Sequence, residues 1–408
     1  MSQTLTEIAE TLIKANKKVQ LIYAFNGTGK TQLSNEFKKN FGQDEDKDEG
    51  NINKKQMLYY NAFSEDLFYW QNEDKNNILK IHSNWFTNWI IRDRGQDQNI
   101  INHFQRYTND KLNPLFNEQT RVINVDGKLR NQTFYPEVTF SYLKGTERFD
   151  NIKISKAEER CFIWSVFYTL FVEIVGILKY DDREEDTFND LKYIFIDDPV
   201  SSLDDNHLIE LAVDVATLVK SCESKDLKFI ITTHNPLFYN VISNELNNNY
   251  PNKNPKIINK KGLKKEWLYI EDESCKYKLV KKDDGTFNLS PIGRRTPFSY
   301  HLTLLFELQK VKQIEEVQKY HFNFLRNILE KTATFLGYSK WESLLPLMSD
   351  GKRDPFANRI LNLSSHSAHA GEEIAEVQEN DKTKFIELIE FLETEYKFSN
   401  LITSNVTV

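Results

Sequence analysis

Three short apolar runs in the first part of the chain have the length and residue types of buried β-strands. They are Val19–Tyr23, Tyr193–Ile196 and Phe229–Thr233, all rich in β-branched and aromatic side chains. Polar residues follow each run at once: first a glycine-containing loop, then two aspartates, and last a histidine. The pattern predicts an α/β fold in which buried parallel strands carry polar side chains to a common site.

The pattern changes after the third of these runs, where apolar residues recur at helical spacing. The stretch Asn247–Lys265 is rich in Asn, Lys and Pro, which is typical of a domain boundary. We therefore predict one domain over 1–265 and a mainly α-helical domain over 266–408, preceded by a basic linker or hairpin. An acidic stretch, Asp44–Asn53, is predicted to be a mobile loop. The clearest helical stripe is Phe385, Leu388, Ile389, Leu392 and Tyr396.

The run Ala24–Thr31, between the first strand and a helix predicted from Gln32, matches a phosphate-binding loop. Its glycines would let backbone N–H groups surround an anion, and its lysine would reach the β- and γ-phosphates. Its threonine hydroxyl would contact Mg²⁺. Ala24 stands where the usual pattern has its first glycine, which leaves the anion cradle intact. The residues predicted to bind nucleotide here are Asn26, Gly27, Gly29, Lys30 and Thr31.

The second and third strands add a carboxylate pair and a histidine. Asp197 is the predicted Mg²⁺ partner, and Asp198 lies where a water-orienting carboxylate is expected. A Ser-Leu-Asp loop containing Asp204 follows, and the third strand stops at His234. An Asp pair after a strand is more often a helix cap or turn. The order of the four pieces nevertheless resembles the ABC-type ATPase head.

The segment Ile154–Arg160 occupies the place of the signature sequence of ABC-type heads, in a degenerate form. It retains Ser155, and the resemblance implies that this serine touches the γ-phosphate bound to another head. Head-to-tail dimers would follow from that arrangement. Ser155 also fits a helix N-cap with Glu158 three residues later as a capping box, and both roles can hold together.

Composition fits a cytoplasmic protein with two or three domains. The chain has 408 residues, of which 39% are hydrophobic and 28% charged. No apolar run of about 18 residues and no charged-then-apolar leader is present, so neither a membrane span nor a signal peptide is predicted. The three cysteines are widely spaced and predict reduced thiols without zinc.

Positive charge is concentrated between Lys253 and Arg295, although the net charge of the chain is −7. This segment has twelve Lys or Arg residues against six Asp or Glu residues, with aromatic residues between them. Such a mixture suits phosphate contacts and base stacking, and we predict RNA binding by Arg294 and Arg295. A solvated linker and hairpin is an equally open interpretation.

Two residue pairs in the helical part could act on a substrate. Arg326 and Glu330 are at i,i+4 on one helix face, and Arg359 and His366 are seven residues apart, again on one face. Most such pairs are ordinary surface ion pairs. His366 and His369 with Glu372 or Glu373 do not make a convincing metal site, because a third spaced ligand is missing.

Several segments together resemble the PrrC anticodon nuclease family over nearly the whole chain. The resemblance implies an N-terminal ABC-type regulatory NTPase and a C-terminal RNA-cleaving domain of the HEPN kind. It assigns the catalytic roles to Arg326, Glu330 and His366. Departures from the family pattern are Ala24, the degenerate signature and a basic Gly293–Arg295, the last of which bears on tRNA selection. The segments that carry the resemblance are Val19–Thr31, Tyr59–Phe63, Phe195–His207, Leu325–Asn327, Glu330–Ala333 and Phe335–Tyr338.

Membership in that family would imply cleavage of lysine tRNA in the anticodon loop. RNA supplies its own 2′-OH nucleophile, so a proton acceptor, a proton donor and a cation suffice, without a metal. The expected products are 2′,3′-cyclic phosphate and 5′-OH ends. The resemblance further implies latency with a type I restriction-modification enzyme, Mg²⁺ with ATP or GTP at the NTPase site, and thymidine triphosphate (dTTP) as an effector.

Two other classes of protein remain as alternatives. One is an ABC-type ATPase of the RecF or SMC kind that acts on DNA, but the long heptad coiled coil of SMC arms is missing from the sequence. The other is a nucleotide-gated binding module whose helical domain only docks a partner. An RNA cleavage assay without metal separates both from a nuclease.

Overall fold

The computed structural model divides the chain into two compact units, Met1–Arg295 and Thr296–Val408. The residues that it describes are 2–41, 56–61, 67–71, 77–82, 85–125, 128–180, 186–199, 205–252, 258–259, 262–263, 267–282, 284–293, 300–314, 317–355 and 377–398.

The first unit combines helices with two larger sheets and two small ones. Its helices are α1 (Leu5–Ala15), α2 (Lys30–Lys39), α3 (Trp85–Thr87, continued by a π-helical turn over Asn88–Asp93), α4 (Asp97–Arg106), α5 (Lys156–Ile177), α6 (Asp205–Ser221) and α7 (Pro236–Leu246). Its strands are β1 (Val19–Ala24), β2 (Met57–Asn61), β3 (Phe68–Gln71), β4 (Ile78–Ile81), β5 (Leu112–Val125), β6 (Lys128–Lys144), β7 (Glu147–Phe149), β8 (Tyr193–Asp197), β9 (Lys228–Thr233), β10 (Tyr250–Pro251), β11 (Ile258–Asn259), β12 (Gly262–Leu263), β13 (Trp267–Tyr269), β14 (Ser274–Lys281) and β15 (Phe287–Pro291).

The central sheet has the strand order β15-β14-β1-β9-β8-β2. All neighbours from β14 to β2 are parallel, and β15 is antiparallel to β14. Every residue of β1 and of β8 is buried, including the polar Gln20 and Asp197, as expected for mainly apolar strands in the middle of a parallel sheet. The three strands predicted from the apolar runs are therefore confirmed, and their carboxyl ends lie at one edge of this sheet.

Helices α1 and α2 cover one face of the central sheet. Ile8 and Leu12 of α1, and Leu33 and Phe37 of α2, are inaccessible to solvent and belong to one cluster with Ile22 of β1. Helix α1 begins at Thr4, whose side chain accepts from the Glu7 amide while Glu7 bonds back to Thr4. The packing of α2 against β1 and α1 fixes it directly behind the loop that leads into it.

A second sheet, in the order β3-β4-β6-β5 with β7 beside β6, packs against α5. Phe140 of β6 contacts Phe162 of α5 with ring centroids 5.3 Å apart. Helix α5 is long and apolar enough to span a membrane, with a mean hydropathy of 1.6 over its most apolar window, but 72% of that window is buried inside the protein. Helix α5 is therefore buried in the way that a core helix is. Cys161 in α5 and Cys222 are buried and Cys275 is half-buried, and none of the three is in a disulfide bond.

The predicted boundary at 265/266 is corrected by the position of β14 and β15. Both strands are part of the central sheet, so the first compact unit extends to Arg295. β10 also pairs with β13, which places the Asn247–Lys265 region within the first unit. The composition of that region does not distinguish the two cases, because polar, Pro-containing sequence is common to loops within a domain and to linkers between domains.

The second unit is built from helices in its described residues. They are α8 (Tyr300–Ile314), α9 (Lys319–Leu336) and α10 (Glu379–Glu395), with a 3₁₀ turn over Trp341–Leu344. The predicted stripe of α10 is buried at Phe385, Leu388, Ile389 and Leu392, which join a core formed with α8 and α9. Helix α9 ends at Gly337, whose φ of +76° suits a residue without Cβ.

Candidate functional site

The loop between β1 and α2 is shaped for an anion. Gly27 and Gly29 have φ values of +78° and +95°, a region that glycine adopts readily. Gly29 is the N-cap residue of α2 and, because it has no side chain, makes no capping hydrogen bond to the N-terminal amides of that helix. These amides point toward the loop and carry the positive end of the helix dipole. Ala24 is the last residue of β1, is fully buried and pairs with Leu279 of β14. Because Ala24 is still in the strand, its position does not require a glycine.

Lys30, the first residue of α2, is buried beneath the loop. Its ammonium donates to the Ala24 carbonyl at 3.2 Å, to the Phe25 carbonyl at 3.4 Å and to Asn26 Oδ1 at 3.2 Å. It also lies 3.6 Å from Asp198 Oδ2. These partners compensate the cost of burying the charge. The predicted loop residues Asn26 and Lys30 are therefore in direct contact.

Asp197, at the end of β8, joins the loop to the sheet. Thr31 Oγ1 donates to its Oδ2 at 3.0 Å and Tyr59 OH donates to the same oxygen at 3.1 Å, while the Thr232 hydroxyl donates to Oδ1. Burial raises the pKa of Asp197, and these hydroxyl bonds oppose that rise. The predicted Mg²⁺ partners Thr31 and Asp197 thus lie side by side, and a hydroxyl with a carboxylate is a donor set that suits Mg²⁺.

Asp198 is held from three directions. Besides Lys30, it contacts the ring Nδ1 of His234, and Thr233 Oγ1 donates to its Oδ1 at 3.3 Å. Its φ of +52° lies in the left-handed region, which Asp tolerates better than most residues. The structure therefore brings Asp198 and His234 together, as their positions after neighbouring parallel strands predicted.

Lys30, Thr31, Asp197 and Asp198 line one cavity of about 350 Å³, whereas His234, which contacts Asp198, is not among the residues that line it. Three of its lining residues were missed by sequence reasoning: Gln32 in the first turn of α2, Asn61 at the end of β2, and Lys281 at the end of β14. Asn61 could have been found, because it ends a strand parallel to β8, but the long-range pairing of Lys281 has no local sequence signal. The complete lining is Asn26, Gly27, Gly29, Lys30, Thr31, Gln32, Asn61, Asp197, Asp198 and Lys281.

Ser155 lies at the N-terminus of α5 and is not among the residues that line this cavity. Its hydroxyl accepts from the Glu158 amide at 3.2 Å, and the Ser155 amide donates to Glu158 Oε2 at 2.6 Å. The predicted capping box is confirmed. A role of Ser155 in another chain's site stays a prediction. Asp204 lies outside the described residues.

In the second unit, Arg326 and Glu330 share one exposed face of α9. Arg326 Nε donates to Glu330 Oε1 at 2.9 Å. The guanidinium carbon lies 5.7 Å from the ring centroid of Trp341, a buried residue of the following 3₁₀ turn. Trp341 had no recognisable motif and was missed. Arg359, His366, His369, Glu372 and Glu373 lie outside the described residues. Among the residues that are described, no group of three or more His, Cys, Asp or Glu side chains is placed to hold a metal ion.

Not all lysines of the basic segment between Lys253 and Arg295 are exposed. Lys276 is buried, with its ammonium donating to the Ser243 carbonyl at 3.0 Å and to Asn247 Oδ1 at 2.6 Å, and Lys278 is buried too. These two lysines are unsuited to contact RNA, which corrects that part of the basic-patch interpretation. The hydrocarbon stem of Lys276 packs inside the first unit while these two oxygens satisfy its ammonium. Arg294 and Arg295 lie outside the described residues.

The fold and the cavity define a nucleoside triphosphatase of the P-loop class. A family model described as an AAA domain matches residues 175–393. The chain is 45% identical to an anticodon nuclease from Escherichia coli, over 98% of this chain and 98% of that one. The protein therefore belongs to the anticodon nuclease family.

One solved structure with a detectable likeness is the SMC head domain from Thermotoga maritima. Its sequence identity is 16%, and the alignment covers 68% of this chain and 90% of that chain with a TM-score of 0.26. A TM-score at that level does not establish a shared fold.

Proposed function

We propose that the protein is a nucleotide-regulated anticodon nuclease, in which the P-loop unit controls an RNA-cleaving helical unit of the HEPN kind. The observation that carries the proposal is the exposed Arg326–Glu330 pair on α9 in a chain of this family. Its setting differs from that of the buried Lys30–Asp198 pair in the phosphate cavity, which suits a second activity on a larger substrate.

Cleavage would use the RNA's own 2′-OH. Glu330 and His366 share the proton transfers: one accepts the 2′-OH proton, and the other protonates the 5′-oxygen that leaves. As the new bond from the 2′-oxygen to phosphorus forms, the bond from phosphorus to the 5′-oxygen breaks. Arg326 offers a fixed fork of N–H donors to the phosphate oxygens, which gain charge in the transition state. The products are a 2′,3′-cyclic phosphate and a 5′-OH, and this chemistry requires no metal.

We infer that the substrate is tRNA, with lysine tRNA cleaved in its anticodon loop. The family supports this choice, since the Escherichia coli relative is named an anticodon nuclease. Arg294 and Arg295 would contact the phosphates of the anticodon stem-loop, because they follow the last strand of the first unit in a segment rich in positive charge.

Regulation would reside in the P-loop unit. The loop amides and Lys30 would hold the phosphates of ATP or GTP, and Thr31 with Asp197 would hold Mg²⁺; this ion supplies charge neutralisation at the phosphates when bound. Head-to-tail dimers through Ser155 would complete each site. Cytoplasmic latency with a type I restriction-modification complex, and dTTP as an effector, complete the proposal for a role in antiphage defence.

The test is cleavage of a lysine tRNA transcript by the purified full-length chain in EDTA, with chemical analysis of the RNA ends. Glu330→Gln should lower the cleavage rate by about 10²- to 10⁴-fold, the usual contribution of a general acid or base. His366→Ala should have a loss of similar size. Both variants should retain nucleotide binding, because the described residues that line the cavity around Lys30 all belong to the first unit, whereas both substitutions fall in the second.

Glu387→Gln is the matched control. Glu387 is also an exposed carboxylate of the helical unit, paired with Lys384 at 2.9 Å in the same kind of surface ion pair. It should cleave tRNA at the unaltered rate. Cleavage that survives Glu330→Gln and His366→Ala would refute the assigned mechanism. Absence of RNA cleavage together with ATP-dependent DNA binding would favour a DNA-acting ATPase, and nucleotide binding without either would favour a binding module.

A further inference from the structure

Strand β14 extends past β1 along the phosphate-binding loop. The two strands are parallel from Val19 opposite Ser274 to Ala24 opposite Leu279. β1 ends there, but β14 continues for two more residues and ends at Lys281. At that point β1 has already turned into the loop, so Lys281 is carried to the level of the phosphate cavity, which it lines.

The hairpin of β14 and β15 also touches the loop at Gly29. A Cβ at Gly29 would lie only 3.3 Å from the ring of Phe287, the first residue of β15. Phe287 is buried, and its backbone exchanges two hydrogen bonds of 2.9 and 2.8 Å with Gln3. The hairpin is thus fixed against the loop at one point and presents Lys281 to the cavity at another.

The two lysines of the cavity have different settings. Lys30 is buried and already bonded to loop oxygens and to Asp198, and it shares the cavity with a second carboxylate, Asp197. Lys281 is exposed. An exposed ammonium on a long side chain can turn toward an incoming anion without first breaking buried bonds. The added negative charge of a third phosphate is therefore best matched by Lys281.

We propose that Lys281 is a second phosphate-binding lysine of the nucleotide site, and that it favours a nucleoside triphosphate over the diphosphate. The proposal deepens the proposed function and rests on nucleotide binding at this cavity. A nucleotide that engages Lys281 also restrains the β14–β15 hairpin, the last pair of strands before the chain enters the helical unit. The mobility of the hairpin then depends on whether the triphosphate is bound.

The experiment is calorimetric titration of the full-length chain with Mg-ATP, Mg-GTP and the corresponding diphosphates. Lys281→Ala should weaken binding of the preferred triphosphate by about tenfold, as expected for one lost charge-assisted contact, and weaken the diphosphate less. Lys281→Arg should restore most of the affinity. Lys282→Ala is the matched control, because it removes the same charge from the next residue, whose ammonium donates to Ser2 Oγ at 2.8 Å outside the cavity. It should bind as the unaltered protein does.

Hydrogen–deuterium exchange gives a second reading. Mg-triphosphate should slow exchange around residues 281–287 in the unaltered chain and in Lys282→Ala, and should do so much less in Lys281→Ala. If Lys281→Ala and Lys282→Ala bind triphosphate equally well, the role of Lys281 is refuted while the nucleotide site stands. If the unaltered chain binds none of the four nucleotides, the nucleotide site and the role of Lys281 both fail.

Discussion

The Lys30–Asp198 and Arg326–Glu330 pairs have similar chemistry in opposite settings. Lys30 Nζ lies 3.6 Å from Asp198 Oδ2, and the two side chains are only 9% and 4% exposed. Arg326 Nε lies 2.9 Å from Glu330 Oε1, and those side chains are 27% and 47% exposed. The first pair joins the start of α2 to the end of β8, whereas the second lies within about one turn of α9.

Burial determines which kind of ligand each of the two pairs can meet. Buried charges are tolerated only with several partners, so Asp198 is also bonded by Thr233 and His234, and its position is fixed before any ligand arrives. A cation that must meet RNA has to be reached from solvent, where its partner carboxylate competes only weakly. The buried pair therefore suits a small ligand enclosed by the loop, and the exposed pair suits a large one.

Replacement of Lys30 or of Arg326 by alanine should give the largest difference between the buried and the exposed pair. Lys30→Ala leaves Asp198 buried without its ammonium partner and should lower the free energy of unfolding by about 3 kcal/mol. It should also abolish nucleotide binding, because no other buried cation lines the cavity among the described residues. Urea unfolding and titration with Mg-ATP and Mg-GTP measure the two effects.

Arg326→Ala is the counterpart in the helical unit. Because its ion pair is exposed, the free energy of unfolding should change by no more than about 1 kcal/mol, while RNA cleavage is lost and nucleotide binding is retained. Equal destabilisation by the two substitutions would show that burial does not distinguish the pairs.

The nucleotide site was largely predictable because its pieces have local signals. An apolar run followed by a glycine-containing loop, and two apolar runs that end in carboxylates or histidine, each report a strand and its C-terminal residues. Parallel pairing of β1, β9 and β8 then brings Lys30, Asp198 and His234 together without further information. The mostly apolar stretch Cys161–Phe171 is likewise typical of a buried helix, as it is in α5.

What could not be predicted depends on pairing between distant segments. β14 has alternating lysines that read as an exposed basic hairpin, yet its neighbours β1 and β15 bury Lys276 and Lys278 inside the first unit. The position of Lys281 in the cavity has the same origin. Likewise, the contact of Trp341 with Arg326 depends on how the turn after α9 folds back, which helical periodicity does not report.

Trp341 offers a sharper test of the exposed pair, with a smaller effect. Its ring holds the Arg326 guanidinium at 5.7 Å, so Trp341→Leu should lower the RNA cleavage rate by about two- to fivefold, the value of one cation–π contact near the surface. Trp341→Phe, which retains an aromatic face, should recover most of the rate. Calorimetric titration with Mg-ATP and Mg-GTP should show that nucleotide binding is unaltered in both variants.

A purely structural role of Trp341 predicts a different pattern. Both substitutions remove buried volume, so loss of packing alone would lower the unfolding midpoint and the cleavage rate in parallel for Leu and Phe. If Trp341→Leu and Trp341→Phe differ in cleavage rate but not in unfolding midpoint, the result supports a role of the Trp341 ring in orienting Arg326.

The smallest expected effect is a shift in the pH dependence of Mg-nucleotide binding, caused by a change beside the buried Asp197. Burial raises the pKa of Asp197 above its ordinary value of 3.8, so on acidification its proton should compete with Mg²⁺ at a higher pH than for an exposed aspartate. The Tyr59 hydroxyl bond stabilises the ionised form and opposes the rise. Tyr59→Phe should therefore raise the pKa of Asp197 further, and shift the loss of Mg-nucleotide affinity to higher pH by less than about one unit, the value of a single hydrogen bond. The sign follows because the ionised carboxylate is the form that binds the cation, so both proteins should bind equally at pH 8 and diverge as the pH falls.

Tyr193→Phe, at the opposite end of β8 from Asp197, should leave the pH profile of Mg-nucleotide binding unaltered. An identical shift in that control would mean that the Tyr59 hydroxyl does not tune the buried carboxylate.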